Sequence, residues 1–127
     1  MGQDESVGQV GGERGRRLPL ELAELLTPPL EHALNHPLRR GLLRALNRSD
    51  HPRAAAELVD DCLPTTNVTL LNYHAAVLER CDLLRVIEND VAGEGFGRRY
   101  ASGVAEDVQI IAVLSATEAS DRAGALG

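Results

Sequence analysis

The chain of 127 residues has no tryptophan, no lysine, a single phenylalanine (Phe96) and two tyrosines. With aromatics this scarce, a core has to be assembled from Leu, Val, Ile and Ala, which suits packed helices. All thirteen basic residues are arginine, which reads as a coding bias more than as chemistry, although arginine also serves well wherever phosphate is bound. Two cysteines, Cys62 and Cys81, are too few for a disulfide framework. No apolar run approaches the ~18 to 20 residues of a membrane span, and nothing reads as a signal peptide. The expectation is one soluble cytoplasmic domain with no membrane partner.

Acidic residues outnumber basic ones, giving a formal charge of −6 that argues weakly against non-specific nucleic-acid binding. The distribution is uneven. Between His36 and Arg53 stand Arg39, Arg40, Arg44, Arg48 and Arg53 against Asp50 alone. Glu57, Asp60 and Asp61 follow, and the segment from Val104 onward is again acidic.

Residues 1–18, "MGQDESVGQVGGERGRRL", are glycine-rich and nearly free of large apolar side chains, as expected of a disordered arm. Pro19 opens a helix through "LELAELL", with Leu22, Leu25 and Leu26 on one face, and Pro28-Pro29 interrupts it. "LEHALNH" makes a second short segment. "PLRRGLLRALNRS" forms a helix with Leu38, Leu42, Leu43 and Leu46 on one face and Arg40, Arg44 and Arg48 on another. "RAAAELVDDC" is the next helix, burying Ala55, Leu58, Val59 and Cys62. After the turn "LPTTN", apolar spacing in "LNYHAAVLER" predicts a helix over about 66–81. "LLRVIE" and "RRYAS" read as strands joined by the glycine-rich "NDVAGEGFG", a wing-like hairpin over about 83–102. A last helix over about 105–120, with Val108, Ile111 and Leu114 or Ser115 on one side, precedes a disordered tail at 122–127. The predicted fold is mainly α with a small β-hairpin, its domain spanning 19–121.

Catalysis finds no support. There is no phosphate-binding loop and no nucleophile elbow, and "GEGFG" lies between strands with no helix after it. No enzyme and no cofactor are expected.

A short helix, a tight turn, a second helix and then a hairpin make a winged helix-turn-helix pattern, in which the second helix enters the major groove. At about 100° per residue, Val68, Leu71, Ala75 and Leu78 fall on the core side of that helix. Thr66, Thr69, Leu70, Tyr73, Val77 and Arg80 lie roughly opposite, flanked by Asn67 and Asn72. Asn pairs with adenine, Thr bonds bases or touches a thymine methyl, and Tyr donates to phosphate. The same residues also fit the ordinary polar face of a surface helix.

"ALNHPLRRGLLRAL", "AAELVDD", "NVTLLNYHAAVLERCDLLRV" and "GRRYAS" together resemble the ArsR-type winged helix-turn-helix repressors over about residues 29–120. Ala33-Leu34 with Leu38-Arg39, then His74, Val77-Leu78, Leu83 and Tyr100, carry the likeness. Asp82 stands where that family usually has glycine, at a position expected to be left-handed. The resemblance implies a transcriptional regulator with an α-rich core. It would be a homodimer on double-stranded DNA, more a repressor than an activator, with helices near 20–34 and 105–120 as the dimer surface. The expected DNA-contacting residues are Thr65, Thr66, Asn67, Thr69, Leu70, Asn72, Tyr73, Arg98 and Arg99, with Arg39, Arg40 and Arg44 as weaker backbone contacts. A positive strip joining these arginines would favour DNA. A protein-binding winged helix is the rival, and a regulator tuned by Cys62 and Cys81 oxidation a third reading.

Relatives of that family bind metals through cysteine pairs or through His and carboxylates on the last helix. Here Val59 and Asp61 occupy the cysteine positions, and the last helix offers Glu106, Asp107, Glu118 and Asp121 but no His. His32, His36 and His51 have no ligand-like spacing. No metal is expected.

Overall fold

The computed structural model describes residues 17–62, 66–89 and 97–126. These form a mainly helical protein with a small antiparallel sheet: α1 Leu20–Ala23, α2 Pro28–Leu34, α3 Pro37–Arg48, β1 Arg53–Ala54, α4 Ala55–Val59, α5 Val68–Arg80, β2 Leu84–Asn89, β3 Gly97–Ser102 and α6 Val108–Leu126. The wing tip at 90–96 and the expected arm up to residue 16 lie outside the described residues, but the end of that arm is not disordered: Leu18 is packed into the core, its N–H donating to Asn35 Oδ1 at 2.8 Å.

Proline and local side-chain acceptors set the helix starts. Pro28 and Pro29 occupy the first turn of α2, where a missing N–H has no partner to lose. They begin a helix and do not end the preceding one, which already stops at Ala23. Pro37 opens α3, and His36 Nδ1 accepts from Leu38 N at 3.1 Å. Glu57 accepts from Ala54 N at 3.1 Å ahead of α4. Asn67 caps α5, its Oδ1 accepting from Leu70 N at 2.9 Å.

The end of α5 explains why a strand follows it at once. Leu83 N donates to Leu78 O at 3.0 Å and Asp82 N to Glu79 O at 3.0 Å, the paired bonds of a Schellman cap. Asp82 takes φ 63, the left-handed conformation expected at that position. This reversal leaves Leu83 and Leu84 buried and starts β2 immediately.

β2 and β3 pair antiparallel, with Val86 opposite Tyr100. β1, which sequence patterning absorbed into the following helix, pairs with the other edge of β3, placing Arg53 opposite Tyr100 and giving the order β1-β3-β2. Two residues are too few for a periodicity to register. Beyond β3, Gly103 N donates to Leu83 O at 2.9 Å, and a Cβ at Gly103 would sit 2.9 Å from Asp82 O. Only glycine lets the chain leave the sheet so close to the α5–β2 corner.

The core is aliphatic: Leu34, Leu42, Leu43, Leu58, Leu71, Leu78, Leu83, Leu84 and Val113 are almost fully buried, with Tyr100 among them. α3 runs through the middle, buried along 37–46. Of its four arginines, Arg39, Arg40 and Arg44 are buried and Arg48 is exposed. α6 begins at Val108 and continues through 122–126, where a tail was expected. Its buried side is Ile110, Val113, Leu114, Thr117 and Asp121, while Val108 is 80% exposed.

Candidate functional site

α5 presents two surfaces. Leu71, His74, Ala75, Val77 and Leu78 are buried against the core, and Val68 (44% exposed), Thr69, Leu70 (48%) and Tyr73 (57%) face out. The helical-wheel reading exchanged two residues: Val68 is outward and Val77 inward. Val68 is the first residue of the helix, and Val77 is buried outside the main aliphatic cluster. Thr66 is half-buried.

The two asparagines have structural duties. Asn67 Oδ1 is spent on the cap of α5. Asn72 Oδ1 accepts from Tyr100 Oη at 2.6 Å, so the second hairpin strand is bonded directly to the helix. Arg98 on β3 is exposed and lies 3.6 Å from Glu88 across the hairpin, a loose ion pair in water. Arg99 is half-buried. Thr65 lies outside the described residues.

Arg39, Arg40 and Arg44 are corrected most strongly. Arg40 is 0% exposed; its Nε and Nη2 donate to Asp121 at 2.9 and 2.6 Å, and Nη1 donates to Leu34 O. Arg44 donates to Leu114 O, Thr117 Oγ1 and Asp121 Oδ2. Arg39 donates to His74 Nδ1 at 3.1 Å and to the His32 and Ala33 carbonyls. Burial lowers the pKa of Arg39 and, against the pull of Asp121, that of Arg44. These side chains tie α3 to α2, α5 and α6, and they are not placed to meet a phosphate. The positive strip that was to join them to the hairpin arginines is not formed. A row of arginines at i, i+4 and i+8 is ambiguous by itself, and their partner on α6 is some eighty residues away in sequence.

His74 packs against His36, ring centroids 4.4 Å apart, and edge-on to Tyr73 at 5.0 Å. Burial chiefly, then His36 and Arg39, push its pKa down to about 4, so the ring is neutral and accepts from Arg39. It supports Tyr73 from behind.

Burial raises the Cys62 thiol to about 12, which keeps it protonated and unreactive. Cys81 is half-buried, its Sγ 3.8 Å from Pro29 O. Among the described residues no group of three or more His, Cys, Asp or Glu side chains is placed to hold a metal, and no helix is long and apolar enough to cross a membrane. Compared with known proteins, the chain matches no family model, no curated protein and no solved structure.

Proposed function

We propose that the protein is a cytoplasmic DNA-binding transcriptional regulator of ArsR-like winged helix-turn-helix type, acting as a homodimer and more a repressor than an activator. α4 and α5 form the helix-turn-helix, α5 is the recognition helix, and β2–β3 is the wing. One observation carries the reading. Tyr100 Oη bonded to Asn72 Oδ1 fixes the hairpin on α5, while Thr69, Leu70 and Tyr73 stay exposed on the same helix. A helix braced by a hairpin, with its outer face left open, is the arrangement a groove-reading unit requires.

The chemistry of the face fits base edges and phosphates. Thr69 offers a hydroxyl and a methyl, Leu70 an apolar contact for a thymine methyl, and Tyr73 a phenol for phosphate. With Arg39, Arg40 and Arg44 removed from the surface, backbone affinity rests on Arg98, Arg99 and the open N–H groups of the first turn of α5.

A second reading has its own observation. The exposed face of α5 is largely apolar, with no basic residue before Arg80, and the chain is acidic. This favours a protein partner on the same surface. Oxidation control through Cys62 and Cys81 is disfavoured by the buried, protonated Cys62.

Titrating the isotope-labelled protein with a short duplex at low salt separates the two. DNA reading predicts that amides from 66 to 73 and along β3 move first. It also predicts that Tyr73→Ala weakens binding about tenfold or more without unfolding the protein. The double variant Arg98→Ala, Arg99→Ala should lower the log–log salt slope by about 0.9 for each phosphate it no longer neutralises. No shift on α5 with a folded protein would favour the protein-partner reading.

A further inference from the structure

α2, α3 and α5 are joined by three side chains, His36, Arg39 and His74. Two hydrogen bonds fix the protonation of both rings. Leu38 N donates to His36 Nδ1 at 3.1 Å, and Arg39 Nε donates to His74 Nδ1 at 3.1 Å. A backbone N–H and a guanidinium N–H can only donate, so each Nδ1 is the bare, accepting nitrogen and each ring carries its proton on Nε2. Neither Nδ1 can bind a proton while these bonds stand.

The surroundings also oppose a charge. The His36 and His74 rings lie 4.4 Å apart and the Arg39 guanidinium is bonded to His74, so a proton on either ring brings like charges together. Among the described residues, His36 and Arg39 act electrostatically on His74, and both oppose its charge. Tyr73 and Cys81, on α5 and at its end, act on Arg39. α2 contributes the His32 and Ala33 carbonyls, both accepting from Arg39 Nη1. His74 is buried and its pKa is pushed down to about 4, whereas His36 is half-buried and within reach of solvent.

We propose that His36, Arg39 and His74 form an acid-sensitive latch that positions Tyr73 and the first turns of α5. With both rings neutral, Arg39 ties the end of α2 to α5 through His74, whose ring meets Tyr73 edge-on at 5.0 Å. A proton on His36 Nδ1 removes the acceptor that caps α3 and sets a cation against His74. A proton on His74 Nδ1 turns an N–H toward the Arg39 N–H. Arg39 then keeps the α2 carbonyls, its bond to α5 is lost, and Tyr73 loses its edge contact. Leu71, Ala75 and Leu78 stay in the core and keep α5 docked. The latch acts on the outer face of α5 whether that face meets DNA or a protein.

NMR of the isotope-labelled full chain, titrated from above pH 6.5 toward pH 4, tests this. At the upper end the ring nitrogen shifts should report the Nε2–H tautomer for both histidines. As the pH falls, the amides of 68–74 should shift and cross-relaxation between the Tyr73 and His74 rings should fade, both with the His74 midpoint. Signals of Tyr100 and Val113 in the core should stay in place. His74→Gln keeps an acceptor for Arg39 without a titrating ring and should abolish the amide shifts over this window. His36→Asn keeps an acceptor for the α3 cap and should raise the His74 midpoint by removing a like charge beside it. The proposal is overturned if the Tyr73–His74 contact persists while His74 titrates, if the amide shifts survive in His74→Gln, or if His36→Asn leaves the midpoint unmoved. A proton found on either Nδ1 at the upper end, or core signals lost at the His74 midpoint, would overturn it as well.

Discussion

Asp121 accepts from both Arg40 and Arg44 where almost no solvent reaches. A buried carboxylate between two guanidinium groups is not necessarily better than an apolar contact, but removing it strands two charges. Asp121→Asn should therefore cost about 3 kcal/mol or more, read by denaturant unfolding. Arg48→Ala should cost little, because its pairing with Glu118 is exposed. His74 gives a pH signature. Its folded pKa of about 4 lies below its ordinary 6.5, so the folded state favours the neutral ring. That contribution is complete above pH 6.5 and is lost as the pH falls toward 4. His74→Gln should flatten the acid side of the stability profile over this window, and a profile unchanged by the substitution would contradict the assignment. His74 was readable as a packed, hydrogen-bonded helix residue, but the role of Asp121 could not be read from the sequence. Asp121 looked like one of several carboxylates on a last helix, and only folding brings it to Arg40 and Arg44.

At the scale of elements, α5 was the most readable part of the chain. The spacing of Leu71, Ala75 and Leu78 marks its buried stripe, while its start, expected at about 66, falls at Val68 behind the Asn67 cap. Asp82 was recognisable as a left-handed residue only through the resemblance, since it stands where the ArsR-type family usually has glycine. The orientation of Val68 and Val77 was not readable, since a wheel contains no information about which parts of a helix the neighbouring segments cover. Asn67 now carries a dual claim that substitution can divide. Asn67→Ala should cost about 1 kcal/mol by removing the cap, whereas Asn67→Asp keeps the acceptor and should preserve Tm. If the Asn67 amide also contacts DNA, Asn67→Asp weakens DNA binding despite intact stability, because it replaces a donor by a negative charge. Equal affinity would assign Asn67 to the cap alone.

Over the whole molecule, a mostly helical arrangement with a hairpin followed from the order of apolar periods, and the sheet contains one further short strand. The surface was harder to foresee. A net charge of −6 is an average, and folding withdraws three of the thirteen arginines into the interior. This leaves the exterior more acidic than the sequence suggests. It also leaves Leu20, Leu25 and Val108 exposed, with Gln109 Nε2 bonded to Leu25 O at 2.8 Å to hold the end of the α1 segment against α6. Such a patch supports the proposed homodimer through these elements. Light scattering should give a dimer mass, and Leu25→Asp with Val108→Asp should yield a folded monomer. A monomeric parent would remove the symmetric two-site geometry from the account.

The most direct test of the account is to incubate the protein with a random duplex library, retain what it binds through several rounds and sequence the product. DNA reading by a dimer predicts enrichment of an inverted repeat whose half-sites lie about one helical turn apart, with the enrichment lost in Tyr73→Ala. A folded protein that enriches no sequence at low salt would contradict it and turn the exposed face of α5 over to a protein partner.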